Sequence, residues 1–485
     1  MSEAQNNVTE LNVQNLNALI ELQRREFRAE GEVTYSSRMD RLKRLKALIV
    51  ENKTDFATTT KREFNNARSY EFSLFSEFAS KVEAIDYTMK HLKDWMKPEK
   101  RKTNKPMNLL GGRGEVRYFP KGVVGIISPW NLPFGLTVAP LTSALAAGNR
   151  ALLKPSEYVP ETAALFAEVV PKYFSKDEVA VVTGGAEMSQ RFSALPFDHL
   201  LFTGSTQVGS KVMQSAAKNL VPVTLELGGK SPVILGRSAK LELAATRLAF
   251  AKMLNGGQLC LSPDYVLVPK ELEEPLISRL TQEVNSMYPN ITENTDYAGV
   301  FNEQHFARLE GYIDDAVAKG AKLTIVGADK TRASQSNRRM PLHILQNVSE
   351  DMQVMHEEIF GPVLPIMAYD DVAEVPDAIE PRRNPLAMYY FGKDKREQEY
   401  LLSRVQSGGV CINDITLHYV QEDLPFGGVG ASGMGAYHGP EGFRNLSHPR
   451  AIYSQTMIDV LPIIGARPPF PEKFRKRIAK VLGSI

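Results

Sequence analysis

At 485 residues the chain is too long for one ordinary hydrophobic core and should divide into two or three domains. Its 43% hydrophobic and 24% charged content is that of a soluble globular protein, and 58 basic against 56 acidic residues leave a net +2, which gives no overall field for nucleic acid. Two cysteines exclude a disulfide framework, no run approaches the roughly 18 apolar residues of a membrane span, and the polar stretch 1–17 lacks the pattern of a signal peptide; a cytoplasmic location is expected.

The first hundred residues read as helices. Stretches 38–52 and 70–95 carry apolar residues at three- and four-residue spacing with charges between them. A basic, proline-containing break at 97–108 precedes a short extended run at 115–119. From Gly122 onward the pattern becomes strand–helix alternation: strand runs at 123–128, 151–153, 179–182, 199–202 and 222–225, with helices at 134–147, 161–173 and 206–217. Parallel strands joined by helices make a doubly wound α/β sheet of Rossmann type, whose ligands sit at the carboxyl ends of the strands. After Gly229 the alternation resumes, with strands at 232–235, 265–268, 363–368 and 387–392 and helices at 242–254, 272–284, 305–319 and 396–406. This predicts a second α/β domain. The polar stretch 333–339 is expected to be an exposed loop.

Chemistry concentrates in the turns. Asn255-Gly256-Gly257-Gln258-Leu259-Cys260 presents a thiol in a glycine-rich turn between a helical and an extended run. A lone cysteine is more often an apolar packing residue, but glycines here let backbone and sulfur approach one reactant, as a nucleophile requires. Cys411, inside the extended run 409–413, reads as packing. Phe202-Thr203-Gly204-Ser205-Thr206-Gln207-Val208-Gly209 leaves a strand and opens a helix, where free amides and the helix dipole suit a pyrophosphate, although Ser205 and Thr206 also fit a simple cap. Lys154 and Glu157 follow a strand of the same sheet and suit ribose hydroxyls. Asn131, between Pro129 and Pro133, is rigid enough to aim its amide at an oxyanion. Glu226, before Leu227, Gly228 and Gly229, suits a general base, and Glu358 and Phe360 add a second carboxylate and an aromatic. The G-x-G-x-x-G match at 428–433 neither closes a strand nor opens a long helix, so it is read as a flexible loop or hinge. Scattered histidines without a second ligand in His356-Glu357-Glu358 give no metal site.

The ordered motifs PWNLPF, KPSE, FTGSTQVG, ELGGKSP, GQLC, EEIFGP and PFGGVGASGMG, spread over residues 35–455, resemble the NAD(P)-dependent aldehyde dehydrogenase superfamily. GQLC followed by SPDY, the run 435–439 and the basic tail are similar to its class-3 branch, and overall similarity points to the bacterial coniferyl aldehyde dehydrogenases within it. The resemblance implies oxidation of an aldehyde, aromatic or cinnamyl-type, to the acid, with NAD preferred and NADP accepted. It implies Cys260 as nucleophile, Asn131 as oxyanion donor and Glu226 as the base that activates the deacylating water. It places Lys154 and Glu157 at the adenosine ribose, Gly204, Ser205 and Gly209 near the pyrophosphate, Leu227 and Gly228 beside the nicotinamide, and Glu358 and Phe360 at its ribose and ring. Residues 1–99 and 121–229 then form the coenzyme domain, 230–423 the catalytic domain, 100–120 and 424–450 a small β bridging element that makes a homodimer, and 451–485 a tail. The implied low thiol pKa follows from the need for a thiolate. Two alternatives are a CoA-acylating enzyme, against which Glu226 speaks, and a non-catalytic protein on this fold, against which intact Cys260, Asn131 and Glu226 speak. In the tail, Phe474, Ile478, Val481 and Leu482 share a helical face among basic residues; packing on its own or a partner subunit is favoured over an anionic membrane.

Overall fold

The run Val123–Ile127 is buried along its whole length, as a strand covered on both faces must be. It lies inside a six-stranded sheet ordered Gly433–Met434, Val223–Glu226, His199–Thr203, Val123–Ile127, Arg150–Lys154 and Val179–Val181. All neighbours are parallel except the two-residue strand Gly433–Met434, which pairs antiparallel with Val223–Glu226. The order in which successive strands are added reverses between Val123–Ile127 and His199–Thr203, so a crevice opens at their carboxyl ends, where Asn131 and Gly204 follow. The computed structural model describes residues 13–105, 107–327, 333–334, 336–382 and 384–483; the stretch 1–12 of the signal-peptide expectation lies outside them.

A seven-stranded sheet runs Lys322–Val326, Leu342–Gln346, Val363–Tyr369, Tyr265–Pro269, Pro232–Leu235, Ala387–Phe391 and Gly409–Ile412, parallel except at its first pair. Leu241–Met253 and Glu273–Met287 pack against each other and contribute Leu248, Leu276 and Leu280 to its largest apolar cluster. A third, antiparallel sheet joins Glu99–Arg101, Arg113–Pro120 and Ser447–Ser454, the last pair in register over eight residues.

Several local expectations change. An amphipathic helix, Val13–Glu30, precedes Tyr35–Glu63, because Leu16 and Ile20 bury against the first sheet. The helical stretch expected at 70–95 is interrupted by a π-helical turn, Leu74–Ala79, which carries the buried Glu77. The strand Ser447–Ser454 runs past residue 450, and Gly433–Met434 joins the first sheet rather than the third. The stretch 428–433 is no free hinge: Leu227 donates its amide to Ser432 O at 3.0 Å and Thr206 donates its hydroxyl to Ala431 O at 2.9 Å. Nor is the stretch 333–339 simply exposed. Arg339 is buried and donates to Tyr297 O, while Arg338 donates to Val300 O and Phe301 O; residue 335 lies outside the described residues.

The tail forms a helix at Glu472–Val481 with no buried residue, steadied by Phe470 stacked on Phe474 at 5.5 Å and by Arg477 over the Phe474 ring. Val481 and Leu482 are exposed, so the tail does not bury its apolar face on its own subunit. Among the described residues no helix is long and apolar enough to cross a membrane.

Candidate active site

Three loops enter the second sheet at the amino ends of its strands: Gly228-Gly229 before Pro232–Leu235, Cys260 before Tyr265–Pro269, and Glu358-Phe360 before Val363–Tyr369. They face the loops that leave the first sheet at its carboxyl edge. Between the two edges lies a cavity of about 800 Å³ lined by Asn131, Gly204, Ser205, Glu226, Leu227, Gly228, Cys260, Glu358 and Phe360. Nine residues expected from sequence to act together thus line one cavity.

The thiol is held by an unusual turn. Asn255, Gly256 and Gly257 have φ of 50°, 64° and 74°, a left-handed run that glycine adopts without strain and asparagine tolerates. The fully buried Gln258 locks it: its side chain donates to Asn255 O at 2.9 Å and Gly299 O at 3.0 Å, and accepts from Phe301 N at 2.8 Å. Every polar atom of that amide is satisfied, so the turn has one stable arrangement. Asn131, 4% exposed, donates its side-chain nitrogen to Gln258 O at 3.0 Å. An amide nitrogen carries two hydrogens. One is committed to Gln258, which fixes the rotamer and leaves the other free.

Burial sets the electrostatics. The Cys260 thiol is pushed up to about 12, first by burial and then by the carboxyls of Glu358 and Glu226. The expectation of a lowered pKa is therefore corrected: the amides of Cys260 and Leu261 pull the other way but do not outweigh two acids. Glu226 is 3% exposed, neither of its carboxyl oxygens has a hydrogen-bond partner among the described residues, and burial raises its pKa well above the ordinary value. Glu358 is raised to about 8 by burial and by Asp264, although it accepts a bond from the Gly229 amide. Burial thus favours the protonated form of both acids.

Lys230 anchors this wall. It pairs with buried Asp264 and donates to Val354 O at 2.8 Å and Glu357 O at 2.9 Å, while Asp264 accepts from Ile359 N at 2.8 Å. The loop carrying Glu358 and Phe360 is thereby tied to the segment that follows Cys260. Phe360 has φ of 49° and meets Trp130 edge-on at 5.5 Å.

Lys154, Glu157 and Gly209 do not line the cavity. Lys154, 1% exposed, donates to Pro155 O and lies 4.0 Å from Glu157, at the end of the strand beside Val123–Ile127. Gly209 works through packing: a Cβ there would fall 2.6 Å from Leu227 Cδ2, so glycine lets the helix Thr206–Ala217 close on the cavity wall. Trp130, His305 and Arg308, not among the residues expected from sequence, also line the cavity. Trp130 stood inside PWNLPF, whereas His305 and Arg308 sit on the first turns of an ordinary amphipathic helix and gave no signal. Cys411 lies in the strand Gly409–Ile412 and packs against the second-sheet core.

The site fits a dinucleotide. The residues at the start of Thr206–Ala217 are exposed to the cavity, with Gly204 and Ser205 before them. Gly228 forms a cradle, since a Cβ would fall 2.5 Å from Glu358 Cδ and closer still to one of its oxygens.

A doubly wound coenzyme-type sheet facing a half-buried thiol, a buried acid and a half-buried one defines a nucleotide-dependent oxidoreductase. The family model described as the aldehyde dehydrogenase family matches residues 2–452, and the chain belongs to that family. It is 45% identical over 466 residues to the probable coniferyl aldehyde dehydrogenase of Caulobacter vibrioides, covering 96% of each chain. It is 44% identical to the coniferyl aldehyde dehydrogenase of a Pseudomonas species, covering 88% of each. Its fold is similar to that of Staphylococcus aureus AldH in a substrate-bound state, with a TM-score of 0.87 at 33% identity over 96% of this chain and 99% of that one. The protein is an NAD(P)-dependent enzyme that oxidises an aldehyde to the carboxylic acid.

Proposed function

We propose that Cys260 is the nucleophile, that Asn131 and the Cys260 amide hold the oxyanion, and that Glu226 is the base for deacylation. The observation that carries this is the Glu226 carboxyl, buried on the same cavity as Cys260 with both oxygens unpartnered. A structural acid would be paired; an unpaired one is kept for a proton. The Cys260 thiol gives up its proton to solvent, and its sulfur adds to the aldehyde carbon as a C–S bond forms and the carbonyl π pair moves onto oxygen. That oxygen is met by the free Asn131 hydrogen and the Cys260 amide. Re-formation of the carbonyl expels the C–H hydrogen as hydride, for which a bound nicotinamide would be the acceptor, and leaves a thioester on Cys260. Lys154, Glu157, Gly204, Ser205, Gly209, Leu227, Gly228, Glu358 and Phe360 would hold the coenzyme. Glu226 takes a proton from water, whose oxygen adds to the thioester; collapse breaks the C–S bond and returns the thiol.

The substrate class proposed is an aromatic, cinnamyl-type aldehyde such as coniferyl aldehyde, the substrate named for the two relatives. Cys260 packs against the apolar cluster that holds Tyr389, Phe426 and Tyr437, and Tyr419 and His438 pack on Phe426 and Tyr437, so the thiol is flanked by aromatic surface. The domain division stated above, a homodimer built through the open strand edges Gly409–Ile412 and Ser447–Ser454, and a cytoplasmic location belong to the same proposal.

Rapid mixing with coniferyl aldehyde and NAD tests the roles. Cys260→Ala should lose turnover yet bind coenzyme, and Cys411→Ala should stay active. Glu226→Gln should release about one NADH per site in a burst and then stall. Near-normal turnover in Cys260→Ala refutes the mechanism; a missing burst in Glu226→Gln moves that acid to thiol activation.

A further inference from the structure

Arg68 and Glu77 are both 0% exposed and form an ion pair at 2.6 Å. Neither lines the cavity. Arg68 Nη1 donates to Asn131 O at 2.9 Å while its Nη2 reaches Glu77 Oε1. The other Glu77 oxygen accepts from the amides of Phe134 at 2.8 Å and Gly135 at 3.1 Å, the free donors where the helix Gly135–Ala146 begins. Phe64 and Phe72 lie against the guanidinium at 4.6 and 5.1 Å. One rigid fork therefore fixes both ends of the turn that carries Asn131.

A buried ion pair is poor value as a stabiliser, because desolvation offsets its attraction and apolar residues of like size do as well. What apolar residues cannot do is hold a carbonyl at a set point. Asn131 O receives bonds from Arg68 and, at 3.3 Å, from Asn255, while the Asn131 side chain is bonded to Gln258 O. Asn255 and Gln258 belong to the turn that carries Cys260. Arg68 supplies the contact from the other side, so the distance between the Asn131 amide and the Cys260 sulfur is set from both.

We propose that Arg68 and Glu77 are positioning residues for the oxyanion donor: they place Asn131 against the nucleophile turn, and their charge pair serves that placement rather than stability. This rests on the reading of Asn131 as oxyanion donor. The test is single-turnover NADH formation in Arg68→Met/Glu77→Gln, Arg68→Lys and Asn131→Ala, with coenzyme affinity by fluorescence titration and melting alongside. The double variant is neutral, keeps an oxygen to cap the Phe134 and Gly135 amides, and removes the bond to Asn131 O. It should melt within a few degrees of the parent, bind coenzyme unchanged and form NADH about 10- to 100-fold more slowly, the loss typical of an ångström-scale misplacement. Arg68→Lys keeps the charge but lacks the fork and should be slowed alike. A double variant within about twofold of the parent rate overturns the proposal, as does a slow one whose coenzyme affinity falls in step, or full rescue by lysine. If Asn131→Ala itself keeps the parent rate, the underlying reading of Asn131 fails instead.

Discussion

Adding one methyl group at Gly228 should act on the coenzyme through Glu358 alone. The Cβ of Gly228→Ala would stand 2.5 Å from Glu358 Cδ, against roughly 3.5–4.0 Å for relaxed carbon contacts. The carboxyl must therefore retreat by about 1 Å or more, and it gives up its bond from the Gly229 amide as it goes. Glu358 is a side chain at a cavity wall, so this motion should cost little folding stability. A displacement of this size in a positioning group is worth about 10- to 100-fold, or roughly 1.4–2.8 kcal/mol. The expected result is a coenzyme Kd raised by that factor, read from protein fluorescence, with a nearly unchanged melting temperature. In a Glu358→Ala background the methyl group should meet nothing, so the second substitution should add less than about 0.5 kcal/mol. An equal loss in both backgrounds would show that the methyl group meets the coenzyme itself, and refute the argument.

Two pH dependences follow from the buried acids. Because burial raises Glu226, its basic form, which deacylation needs, grows only above the ordinary carboxylate range; kcat should keep rising with pH beyond that range and Glu226→Gln should lose that limb. A profile already flat at pH 5.5 would place Glu226 in the ordinary carboxylate range. Stability runs the opposite way: Glu358 holds its proton up to about 8 when folded but releases it above about 4.5 when unfolded, so it lowers stability progressively across that window and no further beyond it. Glu358→Gln should therefore melt higher than the parent at pH 8 and alike at pH 4.5; equal melting at both would refute the burial cost.

Residues that act through their own loop were readable in sequence; residues that act through a distant partner were not. Cys260, Glu226 and Glu358 each sit in a turn whose glycines or flanking strand announce a site, and all three reach the cavity. Asn131 was legible from two prolines, but Arg68, 63 positions earlier, was not, because an arginine in a polar stretch reads as surface until something buries it. The same is true of Lys230 and Asp264, paired across 34 positions in the floor of the site. The strand Gly433–Met434 escaped for another reason: two residues carry no period, and only the edge of Val223–Glu226 defines them. The thiol pKa is not legible in sequence, because the sum of burial and two neighbouring acids is a property of the folded site.

The tail helix holds more of the molecule's charge than its size implies. From Arg467 to Gly483 there are six basic residues and one acidic, a local +5, while the whole chain carries +2. Everything else in the sequence therefore carries −3. Since the helix buries none of its residues on its own subunit, a single cut in the exposed approach near Pro468 would release it and turn a cation into an anion at neutral pH. Loss of seventeen or so residues hardly moves the mass on a gel, but it would carry the protein from a cation exchanger to an anion exchanger, which makes the resin a sensitive reporter of whether the tail is still attached.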